Sequence, residues 1–286
     1  MPTQTLILLH TGGTIGMAQT PNGLAPKSGL VESAILAALP EGVTLITEAF
    51  DPLIDSADIT PKDWNSLLDR IEAHAPNPVI LTHGTDTMAF TGAALSQALA
   101  GTKHRVVLCG SMVPLGMGGD AETNLKQALT AALDPNLNGV ILAFAGKFLP
   151  ADGLIKHDSH SHDAFRATPQ TPATPPRNRR FNTQRLAILS LSPGMPAAML
   201  RAALDTLDGA VLRVYGAGTA MNDADILETL RAAIRSGKRL RAVSQCETGG
   251  LSVGSYAAGA GLFATGIENG GAETPEAALI RLALGS

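Results

Sequence analysis

Short apolar runs rich in β-branched residues punctuate the first half of the chain: Thr5–Leu9, Val43–Thr47, Val79–Thr82, Arg105–Cys109 and Gly139–Ala145. Continuous apolar strands are buried on both faces, and such burial is the mark of a parallel sheet covered by helices. The segments between them support that reading. Leu30 to Leu39 has a helical pattern, as do Met88 to Ala100 and Ala121 to Leu133. Trp64, Leu67, Leu68 and Ile71 repeat at the spacing of one helix face. Thr60 stands as the N-cap of that helix, with Pro61 at its first position and Asp63 at its third.

The alternation breaks at residues 168–182, which read TPQTPATPPRNRRFN. Recurrent proline makes this stretch a poor helix and a poor strand, so it is expected to be a surface linker. Alternation then resumes, with strands at Leu186–Leu191, Ala210–Tyr215 and Arg239–Ser244. Helices are expected at Met195–Leu207, Ala224–Ser236 and Pro275–Leu284. The fold class is therefore two α/β domains with mainly parallel sheets: a larger one over residues 1–167 and a smaller one over 183–286, joined by the Pro-rich linker 168–182.

Composition narrows the function. The net charge of -4 and the 3% aromatic content argue against a nucleic-acid surface, which needs basic patches and stacking platforms. No stretch of about 18 apolar residues is present to cross a membrane, and the first apolar run is too short for a signal peptide. A cytoplasmic location is expected. Cys109 and Cys246 sit at the ends of apolar runs and are expected to be buried thiols.

Two stretches share one grammar. Leu6-Ile7-Leu8-Leu9-His10-Thr11-Gly12-Gly13-Thr14-Ile15-Gly16 is an apolar strand followed by glycines and a threonine. Leu81-Thr82-His83-Gly84-Thr85-Asp86-Thr87-Met88 is a second such strand end, opening into a helix. Backbone N–H groups point outward at such ends and receive polar or anionic ligands. Open parallel sheets bind ligands at their carboxyl edges. The two threonine-bearing loops are expected to face one pocket.

Three further motifs are weaker. The tract His157-Asp158-Ser159-His160-Ser161-His162-Asp163 could bring two imidazoles to one ion, but it lies in a polar loop and no metal is assigned. Gly250-Leu251-Ser252-Val253-Gly254 has the spacing of a serine-hydrolase elbow, yet no histidine follows His162 to complete it. Gly216-Ala217-Gly218 lacks the third glycine of a dinucleotide fingerprint. No cofactor is expected.

Thr11-Gly12-Gly13-Thr14-Ile15-Gly16 resembles the first signature of the bacterial-type L-asparaginase/glutaminase family, and His83-Gly84-Thr85-Asp86-Thr87-Met88 resembles its second. The resemblance extends through Asp55-Ser56-Ala57-Asp58-Ile59-Thr60, Gly110-Ser111-Met112-Val113-Pro114, Asp120, Lys156, Asp163-Ala164-Phe165 and Tyr215-Gly216-Ala217-Gly218. It is closer to the short cytoplasmic type. It implies hydrolysis of L-asparagine to L-aspartate and ammonia. Amide hydrolysis needs a nucleophile, a proton route and donors for an oxyanion. By resemblance Thr14 is the nucleophile, and Thr85, Asp86 and Lys156 form a proton relay. Gly13, Asp55, Ser56, Gly84, Thr85, Asp86 and Ser111 are the substrate-binding positions so implied. A zwitterion needs both charges met when buried, which suits an acid beside N–H and hydroxyl donors. A homodimer or homotetramer is also implied.

The chain departs from the family pattern at three places. No tyrosine lies between Met17 and Lys27, Ala57 stands where some members carry glutamine, and Thr219 replaces an asparagine. Two other functions fit the same signatures: an amino-acid-binding regulator on an inactive scaffold, and an ammonia-donating amidotransferase domain.

Overall fold

In the computed structural model, which describes residues 4–252 and 257–285, the first apolar run forms β1 (Gln4–His10), buried from Leu6 to His10. A single 3-10 turn, Thr14–Gly16, follows it. Residues with no strand signature then form an antiparallel hairpin of β2 (Met17–Thr20) and β3 (Gly23–Pro26). Helix α1 (Leu30–Ala38) leads to β4 (Val43–Ala49), and a second 3-10 turn, Ser56–Asp58, leads to α2 (Pro61–Ala73). Asp63 accepts hydrogen bonds from the Thr60 N–H at 2.7 Å and the Thr60 hydroxyl at 2.6 Å, which fixes the helix start. The helix buries Trp64, Leu67, Leu68 and Ile71, the four residues its spacing singled out.

Strand β5 (Val79–Thr82), helix α3 (Met88–Ala98), β6 (Arg105–Cys109), α4 (Ala121–Leu133) and β7 (Gly139–Phe144) complete the alternation. The chain then turns back through Ala145, at φ 50°, and Gly146 into β8 (Lys147–Pro150). Side chains of α4 hold this turn: Asn124 accepts from the Ala145 N–H at 2.9 Å and Gln127 from the Gly146 N–H at 3.0 Å. The sheet order is β4-β1-β5-β6-β7-β8, parallel except for the last pair. Leu6, Leu8, Ile80 and Val107 form one core layer with residues of α1 and α4. Their sequence neighbours Ile7, Leu9, Leu81 and Leu108 are equally buried, so both faces are covered. A short hairpin of β9 (Leu154–Lys156) and β10 (Phe165–Ala167) ends the unit.

The second unit runs β11 (Leu186–Ser190), α5 (Ala197–Thr206), β12 (Gly209–Val214), α6 (Ala224–Arg235), β13 (Arg239–Ser244), α7 (Ala257–Phe263), β14 (Glu268–Asn269) and α8 (Pro275–Leu284). Its four strands are parallel in sequence order. Leu212, Leu230 and Leu240 fill one core cluster, while Val211, Val243, Ala278 and Leu282 form another. Helix α5 starts two residues later than its periodicity predicts, because Pro196 is extended at ψ 134°. Residues 168–182 hold no helix or strand. Thr168–Pro172 cluster with the second unit and Ala173–Pro175 with the first.

One expectation fails. Cys246 is exposed, because it lies beyond the end of β13, where the apolar run gives way to Gln245 and Glu247. Cys109 is buried, and desolvation pushes its thiol far above the ordinary range. Among the described residues no helix is long and apolar enough to cross a membrane.

Candidate active site

Strand register brings the relevant loops to one edge. Thr82 pairs with His10 on one side and Cys109 on the other, and His10 also pairs with Ala49. The chains leaving β1, β4, β5 and β6 therefore start at one level of the sheet, its carboxyl edge.

The loop after β1 is pinned at once. Thr11 donates to the Thr82 carbonyl through its backbone N–H at 3.2 Å and its hydroxyl at 2.8 Å. Gly12 and Gly13 then take φ of 131° and 94°, a backbone that side chains disfavour. Space also demands glycine at Gly13, since a Cβ there would stand 2.5 Å from the Gly84 nitrogen. The turn that begins with Thr14 thus lies directly against the loop that carries Thr85. Gly16 N–H closes it on the Gly13 carbonyl at 3.1 Å.

The loop after β4 enters the same cluster. Ile54 N–H donates to the Thr11 carbonyl at 2.7 Å. The Asp55 carboxylate accepts from Ala57 N–H at 3.0 Å and so starts the turn holding Ser56. Ser56 is buried, and a Cβ on Gly84 would lie 2.7 Å from its Cβ. The Thr87 hydroxyl donates to the Ser56 carbonyl at 2.6 Å, tying the start of α3 to this turn.

Lys156 arrives from the far end of the unit. It is the last residue of β9, not a loop residue as its polar neighbourhood suggests. Phe165, paired with it across the hairpin, is buried and meets Phe144 edge-on with ring centroids 5.0 Å apart. From this anchored strand the Lys156 ammonium donates to the Thr85 hydroxyl at 2.9 Å and to the Asp86 carboxylate at 2.6 Å. The side chain of Lys156 is 18% exposed and that of Asp86 69%, so the triad runs from the interior to the surface.

The profile of the N-terminal asparaginase domain matches residues 5–186, and that of the glutaminase/asparaginase C-terminal domain matches residues 185–285. The chain belongs to the asparaginase family. It is 31% identical over 310 residues to L-asparaginase 1 of Escherichia coli, covering 99% of this chain and 91% of that protein. The structure of the thermostable L-asparaginase from Thermococcus kodakarensis superimposes with a TM-score of 0.86 at 28% identity, covering 98% of this chain and 92% of that one. L-asparaginase I from Vibrio cholerae gives 0.85 at 28% identity, with the same coverage.

Within this asparaginase-family unit, the floor of the site is a hydrogen-bonded relay that the motifs do not announce. The Trp64 indole donates to the Thr91 hydroxyl at 3.0 Å, which leaves the Thr91 proton for His83 Nε2 at 2.9 Å. His83 Nδ1–H then donates to the Gly84 carbonyl at 2.7 Å. Each donor meets one acceptor only if the imidazole is neutral. Burial agrees, lowering the His83 pKa to about 4. On the other flank, Asp120 accepts from the Met112 and Val113 N–H groups, and Asn124 donates to the Gly110 carbonyl at 3.0 Å and to Asp120. Ser111 is buried with its hydroxyl donated to the Val113 carbonyl at 2.6 Å, so it shapes this loop rather than offering a free donor. Leu115 N–H reaches the Ile15 carbonyl at 3.3 Å, bracing the turn after Thr14.

The other motifs stand apart. In the histidine tract, Asp158 accepts from the His160 and Ser161 N–H groups and Asp163 pairs with Lys147. Among the described residues no group of His, Cys, Asp or Glu is arranged to hold a metal. Tyr215 and Thr219 bracket a tight turn at Gly216-Ala217-Gly218, and Ser252 N–H donates to the Ala217 carbonyl at 2.9 Å. Val253 and Gly254, the rest of the elbow motif, lie outside the described residues, as does Tyr256.

Proposed function

We propose that this chain hydrolyses the side-chain amide of L-asparagine to L-aspartate and ammonia. The observation that carries this reading is the Lys156–Thr85–Asp86 triad, whose loop abuts the turn that begins at Thr14. Thr14 Oγ1 attacks the amide carbon, and its proton passes by way of Thr85 and Lys156 toward the departing nitrogen, which leaves as ammonia. Water then forms a bond to the acyl carbon, the ester to Thr14 breaks, and the hydroxyl is restored. The Asp86 carboxylate holds Lys156 with one oxygen and is exposed enough to meet the substrate's α-ammonium group. Ser56 and the backbone N–H groups at Gly84 and Thr85 take the α-carboxylate, a division that satisfies both ends of a zwitterion. Gly13 clears the space in which the two loops meet. The hairpin after Thr14 carries no tyrosine, so the proton route is assigned to the triad alone.

Ammonia release from L-asparagine and L-glutamine at neutral pH tests the assignment. Release from asparagine supports it. Calorimetric binding of asparagine without any release would identify an amino-acid-binding protein instead. The same family resemblance supports a cytoplasmic homodimer or homotetramer, for which light scattering of the purified protein is the test; a monomer would contradict that part.

A further inference from the structure

His10, at the end of β1, has no solvent-exposed surface and lies beneath the turn after Thr14: a Cβ on Gly16 would stand 2.9 Å from its Cε1 and Nε2. Its Nδ1 is 2.6 Å from the Thr82 hydroxyl. Its Nε2 is buried and has no hydrogen-bond partner. A cavity of about 250 Å³ opens in front of it, lined by Ser28, Glu32, Phe50, Asp51 and Leu53 as well as His10. One carboxylate oxygen of Glu32 is also buried without a partner.

Burial holds the His10 pKa below its ordinary value, against the pull of the Glu32 carboxylate, so the ring is neutral near neutral pH. With Nδ1–H donated to Thr82, the ring presents a lone pair at Nε2. Imidazole nitrogen and carboxylate are then both acceptors and cannot satisfy each other. Buried acceptors of this kind call for a donor. Asp51 adds a second carboxylate on the exposed side of the cavity, and Phe50 and Leu53 add apolar wall.

We propose that this cavity binds a small ammonium ion, either free ammonium or a short primary alkylammonium. The N–H donors would meet His10 Nε2 and Glu32, the charge would be balanced by Glu32 and Asp51, and a short alkyl chain would lie along Phe50 and Leu53. A metal ion would not serve, since among the described residues no ligand cluster is arranged for one. The site is separate from the Lys156 triad and adjoins the Thr14 turn from below, through Gly16. Ammonium is also the product of the hydrolysis proposed above, yet the binding claim does not depend on that reaction.

The test uses the full chain without substrate. The His10 ring nitrogens are followed by NMR, assigned through backbone connectivities, during titration with ammonium chloride and ethylammonium chloride. Potassium chloride and tetramethylammonium chloride at equal ionic strength supply a cation without N–H donors. The expected result is a saturable shift of the Nε2 signal with the first two salts and none with the others. Glu32→Gln should weaken the apparent affinity about tenfold, the scale of one charge-assisted hydrogen bond. If Glu32→Gln does not fold, Asp51→Asn on the exposed rim should weaken it in the same direction. An absent shift, an equal shift with potassium, or an affinity unchanged in the variant would overturn the proposal. Because no asparagine is present, failure here is distinct from failure of the hydrolase reading.

Discussion

Replacing Gly13 by alanine probes the meeting of the two loops. Gly13 lies at φ 94° and ψ 167°, a region reserved almost entirely for glycine, so the backbone strain alone costs about 1–3 kcal/mol. The new Cβ would stand 2.5 Å from the Gly84 nitrogen and 2.7 Å from its Cα, both backbone atoms that cannot rotate away. Relief requires the loops to part by roughly 1 Å, and overpacking of this kind costs about another 1–3 kcal/mol. A loss of about 4 kcal/mol is therefore expected from the two costs together. A shift of that size between Thr14 and Thr85 should also lower the rate about 100-fold, given the sensitivity of reacting geometry. Gly42→Ala is the control, since Gly42 has φ 82° but a Cβ there would meet nothing within 4 Å. It should lose only about 1 kcal/mol and keep full activity. Urea unfolding and ammonia release, run on both variants, give the comparison. If Gly13→Ala matches Gly42→Ala in stability and retains the wild-type rate, the two loops do not meet as described.

Lys156→Met should reduce ammonia release from asparagine by about 10²–10⁴-fold, the usual range for a lost proton-transfer group, with a stability change within about 1 kcal/mol by urea titration. The pH dependence of stability should carry the signature of His83. Its folded pKa of about 4 lies below the ordinary 6.5, so between those values the unfolded chain binds the extra proton. Stability is then complete above about 6.5 and falls as pH drops toward 4, with a loss of about 2 kcal/mol at pH 5 that His83→Gln should remove from the urea-unfolding profile. Asn124→Ala should cost about 3 kcal/mol in the same assay, because the Gly110 carbonyl and the Ala145 N–H lose their buried partner.

The layered frame is legible in the sequence because it rests on local pattern. Continuous apolar runs specify buried strands, and the 64, 67, 68, 71 spacing specifies the buried face of α2. Edge elements carry no such signal. The hairpin Met17–Pro26 and strand β8 are short and partly polar, and only their neighbours make them strands. Lys156 reads as a loop residue because its following tract is polar, yet Phe165 opposite it buries the hairpin that positions it. Cys246 shows the converse error, since the apolar run that suggests burial stops short of it, where the strand ends. In the candidate site, motif alone picks out the residue types at 13, 14, 56, 84, 85, 86 and 156. Their supports are not found that way. Trp64, His83 and Thr91 are joined across separations of 8 and 27 residues, and Asn124 reaches 14 residues back to Gly110, distances over which no periodicity speaks. The one visible clue is a histidine placed between a buried strand and a glycine.

The most direct test is the rate of ammonia release from L-asparagine by wild type and by Thr14→Ala, with folding verified by circular dichroism. The nucleophile assignment predicts a loss of at least about 1,000-fold, equivalent to about 4 kcal/mol of barrier, in a protein that still binds aspartate. A Thr14→Ala chain that releases ammonia at the wild-type rate would contradict it.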